Sequence, residues 1–321
     1  MIKYITVILL LLSGFSLYAQ LTDEEIRRIE EERRRRHILG TTTIEMTGDK
    51  VNDVSLNTMG YTKNMRLAEY ANLNKLILNQ SKITNYSLGS AGALRKLTHI
   101  EVEGTQITDQ GVYSLGQLKN LKILNLAQTK ITDDALATVK GMTGLTRLDL
   151  SETDITDNGI YRISGLTQLK RLDLWATDIT DKSIPSILNL KELRSLGLGG
   201  TNLTDDGISR LAAMDKLLIL NVSFTGVTDR AMPAIGKMNK LEILSLSGTA
   251  VTDRGIEQLQ NMKNLQILSL ENTKITTKSL DILEQFKNLK RIHLTGTSLT
   301  KDEIERVRKR IYWAQVTYTS K

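Results

Sequence analysis

The chain has 321 residues, of which 40% are hydrophobic and 25% are charged. This balance is typical of folded proteins and argues against global disorder. The absence of cysteine excludes a disulfide-based scaffold and a lipoprotein anchored through a lipidated thiol. The formal net charge of +7 is a mild excess, and a nucleic-acid-binding protein normally clusters its basic residues on one face. We therefore expect no nucleic-acid partner.

Residues 1–19 have the pattern of a cleavable export signal. Lys3 precedes the apolar run Ile5–Leu12, and Ala19 stands directly before Gln20, where a signal peptidase requires a small residue. The apolar run is shorter than the ~20 residues that a bilayer-spanning helix needs, so we prefer a signal peptide to a membrane anchor. The mature chain is expected to have no transmembrane segment and to be periplasmic, cell-surface or secreted.

A charged segment follows the signal. Residues 20–40 contain Thr22 and Glu25 at the spacing of a helical capping box, and six acidic residues balance six arginines in this stretch. Arg33–Arg36 could serve as a basic handle for an acidic surface, but a charge run is usually a solvated face. We interpret residues 20–40 as a charged helical linker.

The main feature of the sequence is a repeat of 24 residues. Counting the repeated leucine as position zero, positions three and five are apolar in every turn, and this period of two indicates a strand. The leucines at position zero are Leu73, Leu97, Leu121, Leu145, Leu169, Leu193, Leu217, Leu241, Leu265 and Leu289.

The second half of each turn has the pattern of a short helix. Position ten is apolar and position eleven is always threonine, which suits a helix N-cap. Seven turns then have aspartate at position twelve, where its negative charge interacts favourably with the positive end of the helix dipole. Apolar residues at positions fifteen, eighteen and twenty-one, as in Ile160, Ile163 and Leu166, lie on one helix face. Threonine at position eight is expected to form a ladder in which its hydroxyl bonds buried backbone groups.

The run from Leu145 to Ile160 resembles the leucine-rich repeat, in particular the kind with longer helices found in ribonuclease-inhibitor-like, F-box-associated and many bacterial exported proteins. The resemblance covers residues 73–300. It implies an α/β fold, a right-handed solenoid or horseshoe with a parallel sheet on its concave face and short helices outside. No F-box precedes the repeats, so the resemblance does not extend to a ubiquitin-ligase role.

Both flanks of the repeats continue the pattern in modified form. Residues 41–72 fit a divergent N-terminal capping repeat that has Thr41 at position zero, and residues 301–321 fit a C-terminal cap. In that cap, a charged helix over Lys301–Arg310 precedes a last strand that includes Val316. Charged residues at the ends of a solenoid shield the last apolar layer from water.

A binding function is expected on the concave face, where side chains at positions two, four and six point outward. Trp175 and Phe224 are two turns apart, about 10 Å by strand spacing, and Gly199 lies between them. We interpret this as a notch that could take an apolar side chain or a sugar ring. The alternative is that Trp175 covers its neighbours and the glycine reflects drift in the repeat. Four charged residues complete the predicted partner site: Arg147, Asp149, Arg171 and Asp173.

An aliphatic column extends the predicted site. Ile219, Ile243 and Ile267 occupy position two of three successive turns, either as an apolar partner surface or because isoleucine suits a strand. The sequence therefore predicts a non-catalytic scaffold for protein–protein interaction outside the cytoplasm. The alternative is a carbohydrate or cell-wall binding module that uses the notch between Trp175 and Phe224.

The sequence offers few candidates for catalysis or for a cofactor. Ser269, Glu271 and His293 superficially fit a nucleophile, acid and base, but they lie on an open sheet that does not exclude water. Glu101 and Glu103 fit an acidic patch better than a catalytic pair, since no cleft is expected there. The aspartates at position twelve could suggest a calcium ladder, yet helix capping explains them. We expect no enzyme activity, no metal and no cofactor.

The export signal predicts a defined mature end. Expression of the full chain in a bacterial host should yield a protein that begins at Gln20, because cleavage after Ala19 removes the apolar segment. N-terminal sequencing and intact mass of the envelope and secreted fractions measure this end. A full-length chain that starts at Met1 and remains with the membranes would contradict it.

Overall fold

The structure, a computed structural model, describes residues 43–45 and 70–319. The predicted signal peptide, the charged linker and most of the divergent N-terminal repeat lie outside the described residues. Within them, twelve short strands form one sheet in which each strand pairs in parallel with the next along the chain. This confirms the predicted fold class of a parallel sheet built from one strand per turn.

The strands occupy positions two to four of each turn and stack in register, so that position three of one turn lies beside position three of the next, as Leu148 lies beside Leu172. The bounds are β1 Thr43–Glu45, β2 Lys75–Ile77, β3 His99–Glu101, β4 Ile123–Asn125, β5 Arg147–Asp149, β6 Arg171–Asp173, β7 Ser195–Gly197, β8 Ile219–Asn221, β9 Ile243–Ser245, β10 Ile267–Ser269, β11 Arg291–His293 and β12 Gln315–Thr317.

The α-helices are short, with four to ten residues each. Three turns complete or replace part of the helix with a 3₁₀ segment, at Asp181–Ser183, Leu211–Ala213 and Thr277–Ser279. The α-helices are α1 Asn85–Ala91, α2 Asp109–Tyr113, α3 Asp133–Val139, α4 Asp157–Ile163, α5 Ile184–Ile187, α6 Asp205–Arg210, α7 Met232–Ile235, α8 Asp253–Glu257, α9 Leu280–Leu283 and α10 Lys301–Arg310.

The core is a set of apolar columns that run along the stack. In one turn, the residues at positions zero, three, five, ten, fifteen, eighteen and twenty-one are all fully buried. These residues are Leu145, Leu148, Leu150, Ile155, Ile160, Ile163 and Leu166. A single turn cannot cover this apolar face, so each turn depends on its neighbours for burial.

The threonines at position eight make the predicted bond to buried backbone. Thr153 Oγ1 donates a hydrogen bond of 2.5 Å to the carbonyl of Leu150, at position five of the same turn. Equivalent bonds recur from Thr105 to Thr297. The hydroxyl satisfies a carbonyl in the connection between strand and helix, where water has no access.

The aspartates at position twelve connect successive turns. Asp205 accepts hydrogen bonds from the backbone N–H and the hydroxyl of Thr228 in the next turn, both at 2.7 Å. The same pair of bonds joins six other aspartates to the following threonine. We call this set the Asp–Thr column; its aspartates are Asp109, Asp133, Asp157, Asp181, Asp205, Asp229 and Asp253.

The Asp–Thr column adds to the capping role expected from the sequence. The threonine still accepts a weak N-cap bond of 3.3 Å from the residue two positions on, as Thr132 does from Asp134 N–H. The carboxylate, however, holds the next turn instead of acting only on its own helix. Burial alone would raise the pKa of Asp253, but hydrogen bonds from Ser279 and Thr276 outweigh it, so that this pKa is lowered.

Position fourteen is small because the carboxylate of the preceding turn lies against it. A Cβ atom at Gly159 would overlap the carboxylate of Asp133, and a Cβ atom at Gly207 would overlap that of Asp181. Where serine replaces glycine, its hydroxyl donates to the carboxylate, as Ser279 does to Asp253 at 2.5 Å.

The two ends of the sheet differ from the middle. Ile44 of β1 lies in register with Leu76 of β2. At the other end, β12 pairs with β11, and the preceding helix α10 has a complete capping box between Thr300 and Glu303. Since Thr277 stands at position twelve of the turn before, this local box takes over where the Asp–Thr column ends.

Removing one carboxylate from the Asp–Thr column should destabilise the stack. In Asp205→Ala, the N–H and hydroxyl of the partly buried Thr228 lose their acceptor, and since a fully buried donor left unsatisfied costs about 1–3 kcal/mol, we expect a loss near the lower end of that range. Urea denaturation followed by circular dichroism measures the loss. Asp206→Ala is the matched control. The Asp206 side chain is 85% exposed, and its ion pair with Arg230 is long, at 3.9 Å. Equal stability of the two variants would refute the role of the column.

Candidate functional site

The face of the sheet that points away from the helices carries the side chains at positions two, four and six, and position seven lies at its rim. We call this the open face. Its position-four side chains bond the residue two positions further along: the carboxylate of Asp173 accepts from the N–H of Trp175 at 3.2 Å, and Asn221 accepts from Ser223 N–H at 3.0 Å. These local bonds orient the residues at position six.

Position seven adopts a left-handed backbone conformation in all ten regular turns. Six of these residues are not glycine, among them Phe224 with a φ of 55° and Ala176 with a φ of 50°. This conformation is not among the features predicted from the sequence, although glycine at this position in four turns, as at Gly200 and Gly248, is a signal for it. A left-handed residue directs its side chain along the stack, so that Phe224 lies over Gly248 of the next turn.

Trp175 and Phe224 form one aromatic pair. Their ring centroids are 5.8 Å apart and their planes meet at 84°, an edge-to-face contact. The indole lies over Gly199, where a Cβ atom would overlap the ring. Phe224 remains 54% exposed and Trp175 is partly exposed. The pair is a compact aromatic surface in the middle of the sheet.

The contact between these rings corrects the predicted notch. The repeat spacing predicts a gap of about 10 Å between Trp175 and Phe224, which is the distance between strands two turns apart. The indole reaches across Gly199 and fills that gap itself. A sugar ring or apolar side chain therefore cannot enter between the two rings, and a partner can contact only their exposed faces.

The predicted charged residues stand side by side on β5 and β6. Arg147 pairs with Arg171 and Asp149 pairs with Asp173 in the strand register. Arg171 approaches Asp173 to 3.8 Å, whereas Nε of Arg147 is buried and has no hydrogen-bond partner among the described residues. Burial raises the pKa of Asp173, and the neighbouring carboxylate of Asp149 raises it further.

A polar network covers the open face before β5. His99 Nε2 lies 2.6 Å from Glu101 Oε1, and Asn79 donates to the other oxygen of Glu101 at 3.0 Å. Burial opposes ionisation of Glu101, but these hydrogen bonds outweigh it and lower its pKa. On β3, hydrogen bonds to the carboxylate therefore outweigh its burial, whereas on β6 burial and Asp149 raise the pKa of Asp173.

The aliphatic column lies on the other side of the aromatic pair. Ile219, Ile243 and Ile267 are neighbours in the register of β8, β9 and β10, and each is partly exposed. The open face therefore changes from charged side chains on β5 and β6, through Trp175 and Phe224, to aliphatic side chains on β8 to β10.

The structure offers little support for a catalytic site. Ser269 and His293 are neighbours in the register of β10 and β11, but both lie on the open face, where their side chains are only partly buried. Within residues 43–45 and 70–319, no group of three or more His, Cys, Asp or Glu side chains is arranged to hold a metal ion.

Shallow depressions occur on the helical side of the molecule. One of about 640 Å³ lies beside α3 and α4 and is lined by Tyr161, Arg162 and Asp134, among others. Another of about 430 Å³ is lined by Tyr113 and Lys119. Searching the described part of the chain for a helix long and apolar enough to cross a membrane finds none.

Comparisons with known proteins agree with this architecture. The Leucine Rich repeat family model matches residues 93–116, 142–164 and 237–259. The chain is similar to the crystal structure of an internalin (inlF) from Listeria monocytogenes, with 22% identity, 89% of each chain covered and a TM-score of 0.57. Internalin C2 (inlC2) from the same species has 22% identity over 65% of this chain and 84% of that one, with a TM-score of 0.50.

A third similar structure is described as a TDR receptor, with 18% identity over 78% of this chain and 43% of that chain and a TM-score of 0.56. No curated protein matches the sequence. At these identities the structural likeness shows the fold alone.

The fit of Trp175 over Gly199 generates a prediction. Gly199→Ala should displace the indole, because the added Cβ would overlap the ring, and overpacking of this kind costs about 1–3 kcal/mol. In a Trp313→Phe background Trp175 is the sole tryptophan, so its fluorescence spectrum reports the displacement. Gly165→Ala is the control, since nothing lies within 4 Å of its added Cβ. Identical spectra for the two variants would contradict the packing.

Proposed function

Since the chain is a leucine-rich-repeat protein, we propose that it is a non-catalytic scaffold that binds a partner protein outside the cytoplasm through its open face, which we expect to be concave. Proteins with this repeat generally act as scaffolds for protein interaction, and the fold is typically non-enzymatic.

The observation that carries the proposal is the aromatic pair. Trp175 and Phe224 lie in contact on the open face, and Phe224 is 54% exposed. Aromatic residues and arginine dominate the energetic centres of protein interfaces. Arg171 lies on β6, four residues before Trp175.

The surrounding surface supports an extended interface. The predicted partner site consists of the aromatic pair with Gly199 beneath it, the charged residues Arg147, Asp149, Arg171 and Asp173, and the aliphatic column Ile219, Ile243 and Ile267. These residues span β5 to β10, which at ~4.8 Å per strand is about 24 Å. A surface of this width suits a protein partner better than a small ligand.

The carbohydrate alternative depended on a gap between the two rings. Because the ring centroids are 5.8 Å apart, the aromatic pair leaves no space for a sugar ring between them. The export signal predicted for residues 1–19 supports a location outside the cytoplasm.

Capture of partners from cell-surface and periplasmic extract tests the proposal. Residues 20–321 serve as bait beside Trp175→Ala, Phe224→Ala and the control Glu257→Ala on α8. We expect one protein to be retained by wild type and control and reduced at least tenfold by either aromatic change, since such residues contribute 2 kcal/mol or more at interface centres. Thermal melts verify that each variant is folded. Retention of the same protein by both aromatic variants would contradict the proposal.

A further inference from the structure

The centre of the open face places like charges side by side. The register of β5 and β6 sets Arg147 against Arg171 and Asp149 against Asp173. Like charges directly opposite each other on neighbouring strands are destabilising. The two rows are therefore a strained arrangement that the fold retains on its exposed surface.

The chain relieves this strain only in part, since Asp149 accepts a hydrogen bond from the Ser151 hydroxyl at 2.6 Å and Asp173 accepts one from the Trp175 N–H at 3.2 Å. Nε of Arg147 is buried without a hydrogen-bond partner among the described residues, and Arg171 reaches Asp173 only at 3.8 Å while its side chain is 46% exposed. Burial and Asp149 raise the pKa of Asp173, and the hydrogen bonds from Trp175 and Ser151 and the charge of Arg171 offset this only in part. By contrast, Glu101 on β3 is bonded to His99 and Asn79.

The rows have a fixed order across the sheet. Position two carries the two arginines, position four carries the two aspartates, and position six carries Trp175. Along a strand, residues two apart on one face are separated by about 6.8 Å. An extended peptide has the same spacing between alternate side chains, so it can meet all three rows at once when it runs along β5 and β6.

We propose that the partner binds through an extended segment that lies over β5 and β6 and presents an acidic, a basic and an apolar side chain at alternate residues. The acidic group faces Arg147 and Arg171, the basic group faces Asp149 and Asp173, and the apolar group covers Trp175. The segment can run in either direction, with the order reversed accordingly. This inference rests on the proposed function and names the partner's chemistry.

Selection from a random dodecamer peptide library displayed multivalently on phage tests the inference, because multivalency retains weak binders. Wild-type residues 20–321 should enrich the order acid–x–base–x–apolar, or its reverse, at least tenfold over the unselected library. Arg147→Gln with Arg171→Gln should remove the preference for the acid alone. Asp149→Asn with Asp173→Asn should remove the preference for the base alone. The asparagine side-chain oxygen at position four can still accept the hydrogen bond from the N–H at position six.

The control is Arg210→Gln with Arg254→Gln, which changes two exposed arginines on α6 and α8 and should leave the enriched order intact. Failure to enrich this order, or its persistence after the arginine pair is changed, would overturn the inference. If extract capture remains sensitive to Trp175→Ala while the selection yields no such order, the proposed function stands and only the peptide inference falls. If capture survives the aromatic changes, the proposed function fails whatever the selection yields.

Discussion

The in-register stacking of one 24-residue turn on the next is the constraint on which the rest of the structure depends. Parallel pairing places each residue about 4.8 Å from its equivalent in the neighbouring turn, as Leu148 is placed beside Leu172. A column of leucine thereby becomes a continuous apolar layer, and a column of aspartate and threonine becomes a series of hydrogen bonds between turns. What one turn lacks in burial and bonding, the next supplies.

Stacking also explains where the molecule needs small residues. The carboxylate of each position-twelve aspartate occupies the space beside position fourteen of the next turn, and for this reason Gly159 and Gly207 have no room for a side chain. On the open face, Gly199 accommodates the indole of Trp175 in the same way. Gly159 and Gly207 make room for the contacts between turns, whereas Gly199 makes room for a surface side chain that occurs in a single turn.

The periodicity was sufficient to predict the fold, since every apolar column counted from the leucines is buried. It could not predict the partner of the aspartates, because a column shows which residue types recur but not whether a side chain bonds within its turn or to the next. The gap between Trp175 and Phe224 was predicted from backbone spacing alone. The reach of an indole over a glycine, and the left-handed backbone at Phe224, are side-chain and dihedral properties that spacing does not contain.

Stacking has a cost that is specific to charged columns. Leucine beside leucine gains from contact, but arginine beside arginine and aspartate beside aspartate repel each other. Elsewhere on the open face the repeat avoids this, by bonding Glu101 to His99 or by placing uncharged residues such as Ser195 and Gly197 at the equivalent positions. On β5 and β6, Ser151 and the Trp175 N–H donate to the two aspartates, but within the described chain the nearest groups of opposite charge are 3.8 Å apart. A bound segment of complementary charge would supply closer groups, and the adjoining aromatic pair would bury its apolar residue, so the same constraint that builds the core also defines what this surface can bind.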